Sequence, residues 1–260
     1  MAGNNVKLAA AWSLAVQAAR ENDVHALAKI MSKHPRLKNL KRAVRAEQVH
    51  VERSLLYVAA ISGSAECFEY LTLSEMGNMH EEIFESWIGK SGWLINEHTP
   101  LTIAIMCEDD SKRERMAATA MSKPIEDLEA EKSGWQKAML AAAFWERGCI
   151  MEQIFAHVGH RGQEWWPSAT DAKKCNILHI AGRLGSCSVL RVAMGWPGME
   201  QCASQVDVNS RTPEELARAL CEDDFADELA ARVAAIKEAR ELSGTTKQST
   251  AMAAGQPRRL

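Results

Sequence analysis

The chain has 260 residues, of which 47% are hydrophobic and 25% charged, and its formal net charge is -3. That length can bury a sizeable core, and the charge balance gives no general attraction to nucleic acid or to an anionic membrane. No run of about 18 apolar residues occurs that could span a bilayer, and Met1 to Lys7 lacks the basic start and apolar stretch of a secretory signal. Seven cysteines (Cys67, Cys107, Cys149, Cys175, Cys187, Cys202 and Cys221) form an odd set with no C-x-x-C pair. They read as reduced, mostly buried thiols, so a cytoplasmic or nuclear location is expected and no membrane partner. Alternating apolar and polar runs are rare, while Ala, Leu, Met, Glu, Lys and Arg dominate. The expected class is all-α.

Residues 1–11 read as an N-terminal segment. A helix pair follows from Ser13 to Met31, with small residues at Ala18 and Ala19 and a turn at Asn22 and Asp23. Next comes a basic stretch of Lys33, Arg36, Lys38, Lys41, Arg42 and Arg45, in which Lys41 and Arg45 would share a helix face four residues apart. Phosphate contact is conceivable there. The stretch contains no aromatic residue for base stacking, so a solvated helix surface is the better reading.

The clearest unit runs from Ser54 to Leu71. Leu56, Ala59 and Ala60 fall on one face of its first helix, Gly63 can take the left-handed conformation that ends it, and a second apolar helix begins after Ser64. The same outline returns from Thr99, where Thr99 can cap a helix and Pro100 occupies its first position. Its turn is Glu108-Asp109-Asp110, without glycine. A weaker copy spans Ala138 to Phe155, and a second strong one spans Asn176 to Ala193, with leucine, small pair and glycine at the offsets of the first. A last copy, Arg211 to Leu229, opens on Thr212-Pro213 and turns at Glu222-Asp223-Asp224. A long helix over 224–242 then carries Phe225, Leu229, Val233 and Ile236 on one face, as a terminal cap with a polar outer side would. Residues 243–260 collapse to Thr, Ser, Gln, Ala, Pro and Arg, the composition of a disordered tail.

These segments resemble ankyrin repeats, whose signature is Thr-Pro-Leu-His-x-Ala-Ala, a glycine turn and a second apolar helix. His179 stands at the family's histidine position, Tyr57 and Thr102 replace it elsewhere, and Asp207-Val208-Asn209 resembles the polar hairpin that precedes a repeat. The resemblance implies a helix-pair solenoid of about five to six degenerate repeats over residues 12–242. Spacings between the equivalent positions Ala15, Leu56, Leu101, Leu140, Leu178 and Glu214 are 41, 45, 39, 38 and 36, against a family period of about 33. Every connection therefore carries extra residues, and most of the tryptophans lie in them: Trp87, Trp93, Trp135, Trp165, Trp166 and Trp196.

The sequence contains no G-x-S-x-G elbow, Walker loop, dinucleotide fingerprint, HExxH or kinase motif set, so the chain does not read as an enzyme and no cofactor is implied. Cys175 and His179, with His157 and His160 upstream, could hold a metal. In an ankyrin repeat, however, the histidine bonds neighbouring loop groups, and that structural role is preferred. By the same resemblance a protein partner would sit on the concave face near the turns and on the loops. The expected contact residues are Ile61, Ser62, Met106, Cys107, Trp145, Glu146, Arg183 and Leu184 after the small pairs, with Trp165 and Trp166 as loop anchors or as packing. Small-molecule substrates and nucleic acid are disfavoured. The function expected is an intracellular adaptor or scaffold. The alternatives are a nucleic-acid-associated protein using residues 33–45, and a substrate-recognition subunit or effector that recruits a cellular target.

Overall fold

In the computed structural model, backbone is described for residues 2–39, 42–46, 49–74, 83–88, 94–159 and 164–254, and side chains for 7–37, 54–74, 99–127, 129–159 and 164–241. Among the described residues twelve α-helices fall into six consecutive pairs: α1 (Ala2–Arg20) with α2 (Val24–Lys33), α3 (Leu55–Ile61) with α4 (Ala65–Leu73), α5 (Pro100–Ile105) with α6 (Asp110–Met121), α7 (Leu128–Phe144) with α8 (Gly148–Val158), α9 (Ile177–Leu184) with α10 (Cys187–Met194), and α11 (Pro213–Ala219) with α12 (Asp223–Ala254). The chain divides into two compact units, Met1–Trp165 and Trp166–Leu260. In the first, α1, α3, α5 and α7 pack successively in one row and α2, α4, α6 and α8 in another. In the second, α9 packs on α10 and α11, and α12 on α10 and α11.

The first helices are short and start on side-chain caps. Ser54 accepts from the Tyr57 amide at 3.2 Å. Thr99, Asn176 and Thr212 each close a reciprocal capping box with Thr102, His179 and Glu215. The position held by histidine in the fifth repeat is thus filled in the third and sixth by other acceptors reaching the same amide. Leu55 to Ala60 are all buried in α3, and small Ala59 and Ala60 permit the close helix contact on either side.

The turn inside each pair sets the repeat register. Amides of Asp23, Ser64, Arg147, Ser186 and Glu222 donate to the carbonyls of Ala18, Ala59, Ala142, Ala181 and Ala217, five residues back. The residue before each donor has positive φ: Asn22 57°, Gly63 62°, Glu146 55°, Gly185 63° and Cys221 63°. This is the Schellman way of ending a helix. It aligns Ala142 with Ala59, so Met139, not Leu140, occupies the place of Leu56, and Met139 is fully buried while Leu140 is not. The third repeat departs, since Glu108 lacks positive φ.

Three local expectations change. The basic stretch is not a helix: after α2 comes a short 3-10 turn (Pro35–Asn39), then β1 (Arg42–Ala46), paired antiparallel with β2 (Val49–Arg53). The alternation Val49-His50-Val51 carried that strand signal, and with it the four-residue spacing of Lys41 and Arg45 loses its meaning; Lys41 lies outside the described residues. A second antiparallel hairpin, β3 (Ile83–Ile88) with β4 (Leu94–His98), occupies the connection before α5, so two of the long connections contain strands. Finally, helix extends at both ends beyond expectation. The α1 helix begins at Ala2, within the expected 1–11 segment, and α12 continues to Ala254, past the expected end near Leu242. Between Ser243 and Ala254 a single glycine is the only strong breaker, costing about 1 kcal/mol, while Lys, Gln, Met and Ala favour helix.

Candidate partner-binding surface

The turn ends of α3 and α5 enclose a groove of about 330 Å³ lined by Tyr57, Ile61, Ser62, Ile103, Met106 and Cys107, with Glu108, Asp109 and Lys112 at the start of the next turn. Four of the expected contact residues, Ile61, Ser62, Met106 and Cys107, are therefore brought together. Ile61 is 49% exposed although it is aliphatic, Ser62 is exposed and Met106 is half-buried. Gly63 supplies the φ of 62° that ends α3, and a Cβ there would make only an ordinary contact with the Cys107 sulfur at 3.4 Å. Asp109 caps α6, accepting from the Lys112 amide at 3.1 Å and the Ser111 hydroxyl at 2.8 Å. Those hydrogen bonds hold its carboxyl below the usual carboxylate range, Ser111 contributing most.

The other expected residues sit elsewhere. Trp145 closes α7, half-buried and edge-on to Phe144 at 5.8 Å, and Glu146 is the exposed residue at the positive-φ turn. By the corrected register Phe144, not Trp145, is the equivalent of Ile61 and Met106; the one-residue slip at Leu140 hid it. Arg183 and Leu184 close α9 in the second unit, each half-buried. Trp165 and Trp166 are only 4% and 0% exposed. Of the two roles expected for them, loop anchors or packing, this burial supports packing. The Trp165 carbonyl accepts from Gln136 Nε2 at 2.8 Å, and the Trp166 ring lies 6.4 Å from Trp196. Trp135 is also fully buried, its Nε1 donating to Glu131 at 3.2 Å. Only the backbone of Trp87 is described, and Trp93 and His160 lie outside the described residues.

The chemically dense part of the second unit is structural. Asn176, fully buried, accepts from the His179 amide at 3.0 Å and donates through Nδ2 to the Cys202 carbonyl at 2.9 Å and Gln205 Oε1 at 2.8 Å. Gln205 in turn donates to the Pro167 carbonyl at 2.8 Å. His179 Nε2 lies 2.9 Å from the Arg211 carbonyl and must donate to it, which leaves Nδ1 to accept from the Asn176 amide at 3.3 Å. Both ring nitrogens are thus engaged by protein, as the family resemblance implied, and burial pushes the imidazole below its usual pKa. Burial also pushes the Cys175 and Cys202 thiols up to about 12, so neither is a ready thiolate ligand.

Ahead of this repeat and the next stand two matching polar turns. Asp171 Oδ1 accepts from the amides of Lys173 and Cys175, and Asp207 Oδ1 from those of Asn209 and Arg211. Lys174 and Ser210 take the same positive φ, and the Val208 amide donates to the Lys173 carbonyl at 3.0 Å. Asp207-Val208-Asn209 marks the second of these fingers in the sequence. The first was legible from an aspartate 36 residues upstream of Asp207, at the repeat's own spacing.

No family model matches the chain, and no curated protein sequence matches it. Solved structures do. A chain from the complex of the Bd0816 predatory endopeptidase of Bdellovibrio bacteriovorus with the immunity protein Bd3460 is similar at a TM-score of 0.51 and 15% identity, over 84% of this chain and 97% of the other. EF0377, an ankyrin repeat protein, is similar at a TM-score of 0.52 and 14% identity, over 84% of this chain and 96% of its own. With the paired helices, positive-φ turns and stacked polar fingers, this likeness makes the fold that of a divergent ankyrin-repeat protein.

Proposed function

We propose that the chain is a protein-binding module without catalytic activity, acting as an adaptor or scaffold, and that it holds its partner along the turn ends of the first-helix row in its first unit. The observation that carries this reading is the groove between α3 and α5, where an aliphatic residue is left about half exposed beside a half-buried methionine at the equivalent position of the next repeat. Stacked repeats bury continuous apolar surface between neighbours, so apolar side chains at the open turn ends are available to a second molecule. One of the structurally similar chains comes from a complex between two proteins, which accords with a protein as the partner. Trp145 and Glu146 extend the proposed surface within the same unit, and Arg183 and Leu184 supply corresponding positions in the second unit.

The test is affinity capture with mass spectrometry from the source cell, using wild type and Ile61→Glu side by side. Proteins enriched on wild type should be lost from the variant while its melting temperature is unchanged, because Ile61 is a surface residue. The same captured set on both would remove the groove from the interface.

A further inference from the structure

We propose that the occupant of the α3–α5 groove is an extended segment of a partner protein that inserts an aliphatic side chain between Ile61 and Met106 and sets a lysine or arginine, one or two residues away, against Glu108 and Asp109. The proposal rests on the groove being the binding surface and names the chemistry of what fills it.

Three observations converge. The floor is apolar, built from Ile61, Ile103 and Met106 with the Tyr57 ring, so an aliphatic group is the complementary filling. The groove lies between two neighbouring helices, whose axes in such packing stand about 8–10 Å apart. That groove sits at the turn ends of two short helices and has room for one or two side chains, not for the i, i+3, i+4, i+7 row of anchors that a partner helix presents along its face, so a short extended segment is the fitting occupant. The third observation is charge. Among the described residues two carboxylates and one ammonium line the groove, Glu108 and Asp109 against Lys112, which leaves one net negative charge. Lys112 approaches Asp109 only to 3.8 Å with both side chains about half exposed, a pair too weak and too solvated to cancel the field. The next cation along α6, Arg113, is buried and committed to Asp110 at 2.6 Å and the Cys107 carbonyl at 2.9 Å, so it offers nothing to an incoming anion. An acidic partner segment would meet repulsion there, and a basic one attraction.

A random linear peptide library displayed on phage and selected on the full-length chain tests both levels. Selected peptides, resynthesised with a fluorescent label, are titrated by anisotropy against wild type, Ile61→Glu, and a Glu108→Lys plus Asp109→Asn double variant; the asparagine keeps the α6 cap. The expected peptides share an aliphatic residue with Lys or Arg within two positions, lose tenfold or more of their affinity on Ile61→Glu, lose about tenfold on the charge variant, and bind more weakly as salt rises. Peptides that need Ile61 but ignore both the charge variant and salt would overturn the basic occupant and leave the groove standing. Peptides indifferent to Ile61→Glu, or no selection at all, would overturn the groove as well. Should Ile61→Glu melt early, Ile61→Ala removes the same floor without introducing a charge.

Discussion

At the start of the fifth repeat the polar groups are buried and paired: Asn176 bonds three neighbours, His179 closes on the sixth repeat's finger through Arg211, and Gln205 ties the Trp166–Ser168 turn to the same network. At the turn ends of the second and third repeats the arrangement is reversed. Apolar side chains face solvent, and of the charges beside them Asp109 is tied only to the start of its own helix, its pair with Lys112 being long and half exposed. Both regions are made from the same helix pair, so the difference lies in what the polar groups are attached to. In the fifth and sixth repeats they fix one finger to the next, and in the second and third they rim a surface that is otherwise unfilled.

This contrast predicts that substitutions in the two regions separate stability from binding. The largest effect should follow Trp166→Ala, which empties a fully buried site and should lower unfolding free energy by about 4 kcal/mol in urea titration. A loss under about 1 kcal/mol would return Trp166 to the surface. Asn176→Ala should come next, at about 3 kcal/mol, because it deletes a helix cap together with the two buried Nδ2 hydrogen bonds to the Cys202 carbonyl and Gln205 Oε1. If instead the loss is small, the network is decoration and the comparison fails.

The pH dependence of stability addresses the same network. Burial lowers the His179 pKa, so the folded state binds fewer protons than the unfolded chain below the unperturbed value of 6.5. Stability from this group is therefore complete above 6.5 and declines as pH falls toward the folded pKa. His157, lowered by burial as well, contributes in the same direction. Replacing His179 by Asn should flatten the loss measured by thermal melting between neutral and mildly acidic pH. An unchanged slope would show that the imidazole titrates freely.

The smallest effects should come from the turns. Glu146 and Cys221 hold the left-handed conformation that Gly63 and Gly185 supply in sister repeats, at a penalty of about 1 kcal/mol each. Glu146→Gly and Cys221→Gly should each stabilise by up to about 1 kcal/mol. Gly185→Ala should do the opposite, since φ is 63° and the new Cβ would run into the Glu222 carboxylate. Glu146→Gly also sharpens the functional contrast, because it removes a proposed contact while strengthening the fold.

Much of this architecture is legible from residues whose local chemistry and repeat position agree. Thr99-Pro100, Thr212-Pro213, Gly63 and Gly185 each announce a helix boundary and recur at matching offsets, and His179 does the bonding its position implies. The reading slips where the two cues part. At Leu140 the hydrophobic run Ala138–Ala143 offers several phases, and only the turn hydrogen bond from Arg147 to Ala142 selects one. Asn22 is of a type that takes positive φ readily and marked its turn, whereas Glu146 and Cys221 give no such sign, because there the turn imposes it. The tryptophans stayed open for a related reason: a large ring in a long connection is equally suited to anchoring a partner or to covering the stack, and burial decides between them only once neighbours such as Trp196 are in place. The groove itself was half visible, since Ile61, Ser62 and Met106 follow from the repeat, whereas Tyr57 and Ile103 join them only through packing of α3 on α5.

Hydrogen-exchange mass spectrometry of the full-length chain, alone and saturated with a protein it captures, tests the central claim most directly. The account predicts new protection in the segments containing residues 57–63 and 103–112, with exchange around Asn176 and His179 already slow and unaltered. Protection confined to other segments, with these two unchanged, would contradict it.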